Sequence, residues 1–171
     1  VYPFWSPDGR ALAFFSEDGK RRSKLMRIDI SGGGLSTVCE LQATNSTGGT
    51  WGRDDTILFG IYGPPEGRIQ RIPATGGTPA PATSIDTDRG ETRHYSPVFL
   101  PDGRHFMYLA VGTKGGGPFS PNGLYVGSLD SPDRKLIMPV GSVTKYASGH
   151  LFFLRENTLM AQPFDPSRLE L

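Results

Sequence analysis

The sequence predicts an all-β fold, a partial β-propeller of about 3.5 four-stranded antiparallel blades. Three observations carry that prediction. A turn phrase recurs along the chain as Trp5-Ser6-Pro7-Asp8-Gly9-Arg10, Trp51-Gly52-Arg53-Asp54-Asp55, Phe99-Leu100-Pro101-Asp102-Gly103-Arg104 and a shortened Tyr146-Ala147-Ser148-Gly149. The aromatic residues that open it, at 5, 51, 99 and 146, are spaced by 46, 48 and 47 positions. Between the phrases lie short runs rich in Phe, Ile, Leu, Val and Tyr, punctuated by Asp-Gly, Gly-Gly and Pro, as strands joined by tight turns require. A sandwich with Greek-key crossovers gives no reason for one turn to recur at a near-constant interval.

The elements follow in chain order. The first unit predicts strands at 2–5, 11–16, 24–30 and 35–41, and the second at 49–51, 56–62, 68–73 and 78–85. Pro79 and Pro81 confine the last of these to a sheet edge, because proline cannot donate to a ladder. The third unit predicts strands at 95–100, 105–111, 124–129 and 134–140. The fourth supplies 143–147, 151–155 and 159–164, and lacks its outer strand. The blades thus divide a single domain, 1–171, near 1–45, 46–92, 93–141 and an incomplete 142–171.

Composition removes other classes. The 171 residues include 23 Gly and 15 Pro spread along the chain, which leaves no room for the long helices of a bundle. Eighteen Lys and Arg against 17 Asp and Glu give a formal charge of +1, without the basic runs that nucleic-acid binding needs. Apolar runs such as 11–15 and 151–154 fall far short of the roughly 20 residues that span a bilayer. Cys39, the single cysteine, has no internal disulfide partner. The start at Val1, without a signal-like segment, predicts an internal piece of a longer protein.

The Pro-Asp-Gly triplets have a turn mechanism: Pro presets φ, Asp bonds nearby amides, and Gly accepts a left-handed conformation. Gly9 and Gly103 are therefore expected at positive φ, and Asp8, Asp54 and Asp102 are read as turn residues rather than metal ligands. The glycine tracts at 32–34, 76–77 and 115–117 lack the Lys-Ser/Thr of a phosphate-binding loop and read as strand connections. The aromatic anchors Trp5, Trp51, Phe99 and Tyr146 are expected to pack between neighbouring blades.

The segments at 5–14 and 99–108 resemble the TolB-type, WD-like propeller repeat, and the resemblance covers essentially the whole chain. The closing Asn157-Thr158-Leu159-Met160-Ala161-Gln162-Pro163-Phe164-Asp165, followed by Arg168-Leu169-Glu170-Leu171, resembles a narrower group, the sensor propellers C-terminal to bacterial membrane-anchored Ser/Thr protein kinases. The resemblance implies a parent of six or more blades, an extracytoplasmic (periplasmic) location, and a propeller that senses or binds partners rather than catalysing. The second unit departs from the repeat with Arg53-Asp54-Asp55, and the fourth lacks the Asp. No kinase motif is present in this sequence.

A search for chemistry predicts no catalytic residue, no metal site and no cofactor. His94, His105 and His150 are not at the spacing of metal pairs, and the latter two follow turns, where a structural role is expected. No Gly-x-Ser-x-Gly elbow is present. Asp86, Asp88 and Glu91 lack the spacing and flanking helices of a calcium loop. In a meander the B-to-C and D-to-A connections share one face, and the sequence puts Lys20, Arg21, Arg22, Arg89, Arg93, His94, Lys114 and Phe119 there as candidate partner-binding residues. The function expected is a non-enzymatic protein-interaction or sensor module of a larger bacterial receptor-like protein, a membrane-anchored Ser/Thr kinase fitting the resemblance. Its partner is an unidentified protein or small molecule, and the parent's remaining blades complete the ring. Two alternatives are a gating propeller of a prolyl-oligopeptidase-type hydrolase and a TolB-like periplasmic envelope protein.

Overall fold

The computed structural model describes residues 3–17, 22–42, 46–61, 67–112 and 120–171. Each of its four sheets is a meander in which consecutive strands pair antiparallel, and the described residues contain no helix. The first sheet holds β1 (Phe4–Trp5), β2 (Ala11–Glu17), β3 (Ser23–Asp29) and β4 (Ser36–Leu41). The second holds β5 (Ser46–Trp51), β6 (Thr56–Ile61), β7 (Ile69–Pro73) and β8 (Ala80–Pro81), and the third β9 (Glu91–Phe99), β10 (His105–Gly112), β11 (Ser120–Ser128) and β12 (Arg134–Met138). The fourth has three strands, β13 (Lys145–Ala147), β14 (His150–Arg155) and β15 (Thr158–Pro163). This is a partial β-propeller.

The turn phrases do what their chemistry requires. In the first, Ser6 Oγ donates to Asp8 Oδ1 at 2.6 Å while Arg10 N–H donates to the same oxygen at 3.0 Å, and Gly9 sits at φ +70°. In the third, Asp102 Oδ1 accepts from Arg104 N and His105 N, both at 3.0 Å, and Gly103 sits at φ +71°. The second phrase has no glycine at this position, and Asp55 takes the left-handed conformation itself at φ 60°. Ser148 and Gly149, both at positive φ, close the fourth hairpin between the paired Ala147 and His150. His150 Nδ1 lies 2.9 Å from Ser148 O, in keeping with a turn role.

Strand alternation directs successive side chains to opposite sides of a sheet, and the central strands use both. On β6, Ile57, Phe59 and Ile61 join the cluster shared with the first sheet, whereas Leu58 joins the cluster shared with the third. On β10, Phe106, Tyr108 and Ala110 face the second sheet, while Met107 and Leu109 pack with Leu151, Phe153 and Phe164 of the fourth. The core is therefore three interfaces between consecutive blades. Trp51, Phe99 and Tyr146 pack in these interfaces as expected, but Trp5 is 55% exposed. Its counterparts each pack toward the preceding blade, and among the described residues none packs against that side of the first sheet.

Other boundaries moved for local reasons. The predicted strand at 78–85 contracts to Ala80–Pro81, pairing only through Gln70 and Arg71, because the two prolines interrupt donation. The strand predicted at 95–100 starts earlier: β9 begins at Glu91, after a turn whose Gly90 N–H bonds Thr87 O at 2.9 Å.

Candidate functional site: the channel mouth

The innermost strand of each sheet borders one cleft of about 560 Å³. Phe4 of β1, Thr47, Gly48 and Gly49 of β5, Arg93, Tyr95, Ser96 and Pro97 of β9, and Lys145 of β13 line it, with Pro3 and Val143 beside them. The cleft lies toward the beginnings of these strands, the end that receives the D-to-A connections and, in a meander, the B-to-C connections too.

Two neighbouring strands are distorted at the cleft. The ladder between β5 and β6 shifts register between Ser46 and Gly49, and Gly48 sits at φ +91°. The ladder between β9 and β10 shifts between its Met107 and Leu109 pairs, which leaves Ser96 and Pro97 as the extra residues, with Ser96 at φ +53°. Ser96 Oγ donates to Thr47 O at 3.4 Å and ties one bulge to the other. Bulges re-aim side chains. Gly49 admits the Phe4 ring, since a Cβ there would lie 2.5 Å from it.

Arg93 is half-buried at the cleft wall. Its stem covers Gly67, where a Cβ would meet Arg93 Cγ at 2.7 Å, and its guanidinium lies 5.2 Å from the Tyr95 ring centroid. Burial raises the Tyr95 phenol above its usual range, and the positive charge of Arg93 opposes that rise. Lys145 is exposed on β13 of the adjoining fourth sheet.

The next residue, His94, points the other way and corrects the expectation that it meets a partner. Its side chain is fully buried between the second and third sheets, because alternation along β9 turns it away from the channel. Nε2 lies 3.0 Å from Glu91 Oε2 and Nδ1 lies 2.8 Å from Thr83 Oγ1. A carboxylate only accepts, so Nε2 carries the proton. Thr83 Oγ1, which accepts Ile69 N–H at 3.1 Å, donates its own proton to Nδ1. Burial drives the His94 pKa down even though Glu91 opposes it, and the ring is neutral.

Glu91 receives Asp86 N–H at 2.9 Å and Arg134 Nη1 at 2.8 Å. Burial pushes its carboxyl pKa up, but the hydrogen bonds from His94, Arg134 and Asp86 outweigh burial and bring it to about 2. Arg134 also lies 4.6 Å from the Tyr125 ring centroid and 3.3 Å from Asp86. This cluster fastens the connection between the second and third blades, and it gives Asp86 and Glu91 their partners. No group of three or more metal-ligating side chains occurs among the described residues.

Of the remaining expected contact residues that the structure describes, Arg22 and Arg89, neither lines this cleft. Arg89 is exposed and its Nε lies 3.2 Å from Asp86, so its charge is partly neutralised. Arg22 lines a separate cleft of about 230 Å³ near the ends of β2 and β3. Lys20, Arg21, Lys114 and Phe119 lie outside the described residues. Of the expected contact residues, Arg93 lines this cleft; Lys145, Tyr95, Ser96 and Thr47 line it too and were not among those expected. The available signal was Ser96-Pro97 inside an otherwise regular strand pattern, since proline there marks an edge or a bulge.

Four meander sheets with their first strands around a common cleft define the propeller class, and solved structures agree. TolB from Acinetobacter baumannii superposes with a TM-score of 0.64 at 18% identity, over 97% of this chain and 43% of its own. An oligogalacturonate lyase from Vibrio parahaemolyticus gives 0.60 at 14% identity, over 95% and 52%. A puromycin-hydrolyzing peptidase from Mycobacterium tuberculosis gives 0.64 at 13% identity, over 88% and 24%. The chain thus spans about half or less of each structure, and the likeness is one of fold. No family model matches the sequence, and no curated protein does.

Proposed function

We propose that this chain is a non-catalytic interaction or sensor module, a single partial-propeller domain within a larger bacterial receptor-like protein. The carrying observation is the convergence of all four innermost strands on one cleft, with Arg93 and Lys145 on its wall. The resemblance of its closing segment to kinase-linked sensor propellers supports a membrane-anchored Ser/Thr kinase as the parent, and with it an extracytoplasmic location. Arg22, Arg89 and Arg93, with Lys20, Arg21, Lys114 and Phe119, remain the proposed partner-contacting set; His94 leaves it. A partner captured by the full-length protein is expected to bind less tightly after charge reversal at Arg21 and Arg22, or after Phe119→Ala. Unchanged affinity in both, with loss on substitution in the Pro-Asp-Gly turns, would put the contact on the opposite face.

The likeness to the puromycin-hydrolyzing peptidase favours one second reading, a gating propeller beside a hydrolase domain. Labelling of the full-length protein by a fluorophosphonate serine-hydrolase probe separates the two. Covalent labelling supports the gating propeller, and none is expected for the sensor module.

A further inference from the structure

We propose that the channel-mouth cleft binds a carboxylate carried on an apolar or aromatic body, with Arg93 and Lys145 meeting the carboxylate and Phe4, Tyr95 and Pro97 meeting the body. The proposal rests on the reading of this chain as a binding module and names the ligand chemistry of that site.

Charge comes first. Among the described residues, two cationic side chains line the cleft and no Asp or Glu does, although the whole chain is almost neutral. Arginine presents a planar fork of donors that matches a carboxylate, and the nearby Tyr95 ring gives the guanidinium a face to rest on. Lys145 adds a mobile second charge from another strand.

Shape and polarity exclude a bare inorganic anion as the best occupant. About 560 Å³ lies within the range of small-molecule sites and far exceeds what one phosphate fills. Phe4, Tyr95, Pro97 and Val143 furnish apolar wall beside the two charges, so the complementary molecule is itself amphipathic.

Backbone strain is the independent observation. Ser96 is held at φ +53°, a conformation costly for a residue with a Cβ, and it lies in the cleft wall at a bulge bonded to a second bulge. An undistorted β9 would carry the alternation through Ser96 and change which side chains reach the channel. The paired bulges present Tyr95, Ser96 and Pro97 together to the cleft, where regular alternation would turn at least one of them away.

The test uses the full-length protein and saturation-transfer difference NMR, with phenylacetate as probe, phenylacetamide as its neutral counterpart and inorganic phosphate as a plain anion. Phenylacetate is expected to bind, and phenylacetamide to bind at least about tenfold more weakly. Phosphate at equal concentration should fail to displace it. Lys145→Gln, at an exposed position, should weaken phenylacetate about tenfold without moving the thermal unfolding midpoint, and Arg93→Lys should weaken it by a smaller factor. Equal binding of phenylacetamide, displacement by phosphate, or unchanged affinity in Lys145→Gln each overturns the proposal. Failure of the binding-module reading registers separately, as serine-hydrolase labelling, and does not depend on any phenylacetate result.

Discussion

Gly103 shows how one backbone angle sets a turn. A Cβ there would lie 3.8 Å from Arg53 Cβ, an ordinary contact, so space does not exclude a side chain; the φ of +71° does. Gly103→Val is expected to cost about 1–2 kcal/mol in urea unfolding, and Gly103→Asn less, because Asn tolerates the left-handed region. The buried carboxylate makes a different prediction. Glu91 titrates near pH 2 in the folded chain against an ordinary value of 4.5, so it contributes stability that is complete above about pH 5 and is lost as pH falls toward 2. His94, whose pKa is lowered in the folded state, acts in the same direction: its contribution is complete above its ordinary 6.5 and falls as acid protonates the unfolded chain. Unfolding midpoints should therefore fall between pH 7 and pH 3, and Glu91→Gln should flatten the lower part of that decline. Arg134→Met, which leaves Glu91 buried without its cation, should destabilise by about 3–5 kcal/mol at pH 7.

Among elements, β6 gives the sharpest test, because its adjacent residues serve different interfaces. Phe59 is fully buried with its ring centroid 5.7 Å from that of Phe15 in the first sheet, whereas Leu58, also fully buried, faces the third. Phe59→Ala and Leu58→Ala should each cost about 2–5 kcal/mol. Native-state hydrogen exchange should rise chiefly in β1–β4 for the first and chiefly in β9–β12 for the second, since each blade contacts only its neighbours. Equal acceleration throughout would show that the blades do not act as separable units. Legibility also varied by element. The second strand of each sheet follows a turn phrase and was readable to within a residue or so, as at Ala11–Glu17 and His105–Gly112. The outer β8 was overextended because apolar content implied a strand that Pro79 and Pro81 could not pair. The cleft was least legible, since its lining depends on two bulges that no simple alternation of polar and apolar residues announces.

For the whole molecule, repetition made the architecture readable while leaving open what flanks it. Trp5 holds the position that Trp51, Phe99 and Tyr146 bury, yet it is exposed, as are Leu154 and Leu159 on the fourth sheet. Further blades packed against the first sheet should bury Trp5. In a Trp51→Phe background, Trp5 emission should be red-shifted in the 171-residue chain and blue-shifted in the full-length protein. A red-shifted spectrum in both would mean that no blade covers this flank.

The missing fourth strand of the last sheet has a further consequence. Beyond β15 the chain does not pair with it: Phe164 enters the core, and Asp165 and Glu170 bridge to each other. One edge of β15 therefore lacks a partner strand among the described residues, and it carries no Lys, Asp or Glu to discourage pairing. Such an edge is a template. A strand supplied from nearby in sequence would complete the sheet through local pairing, whereas one supplied from far upstream would close a ring and make the slowest, highest-contact-order step of folding. Until that step occurs, the same edge is open to pairing with other copies, so refolding yield should depend on concentration most strongly before the last sheet is complete.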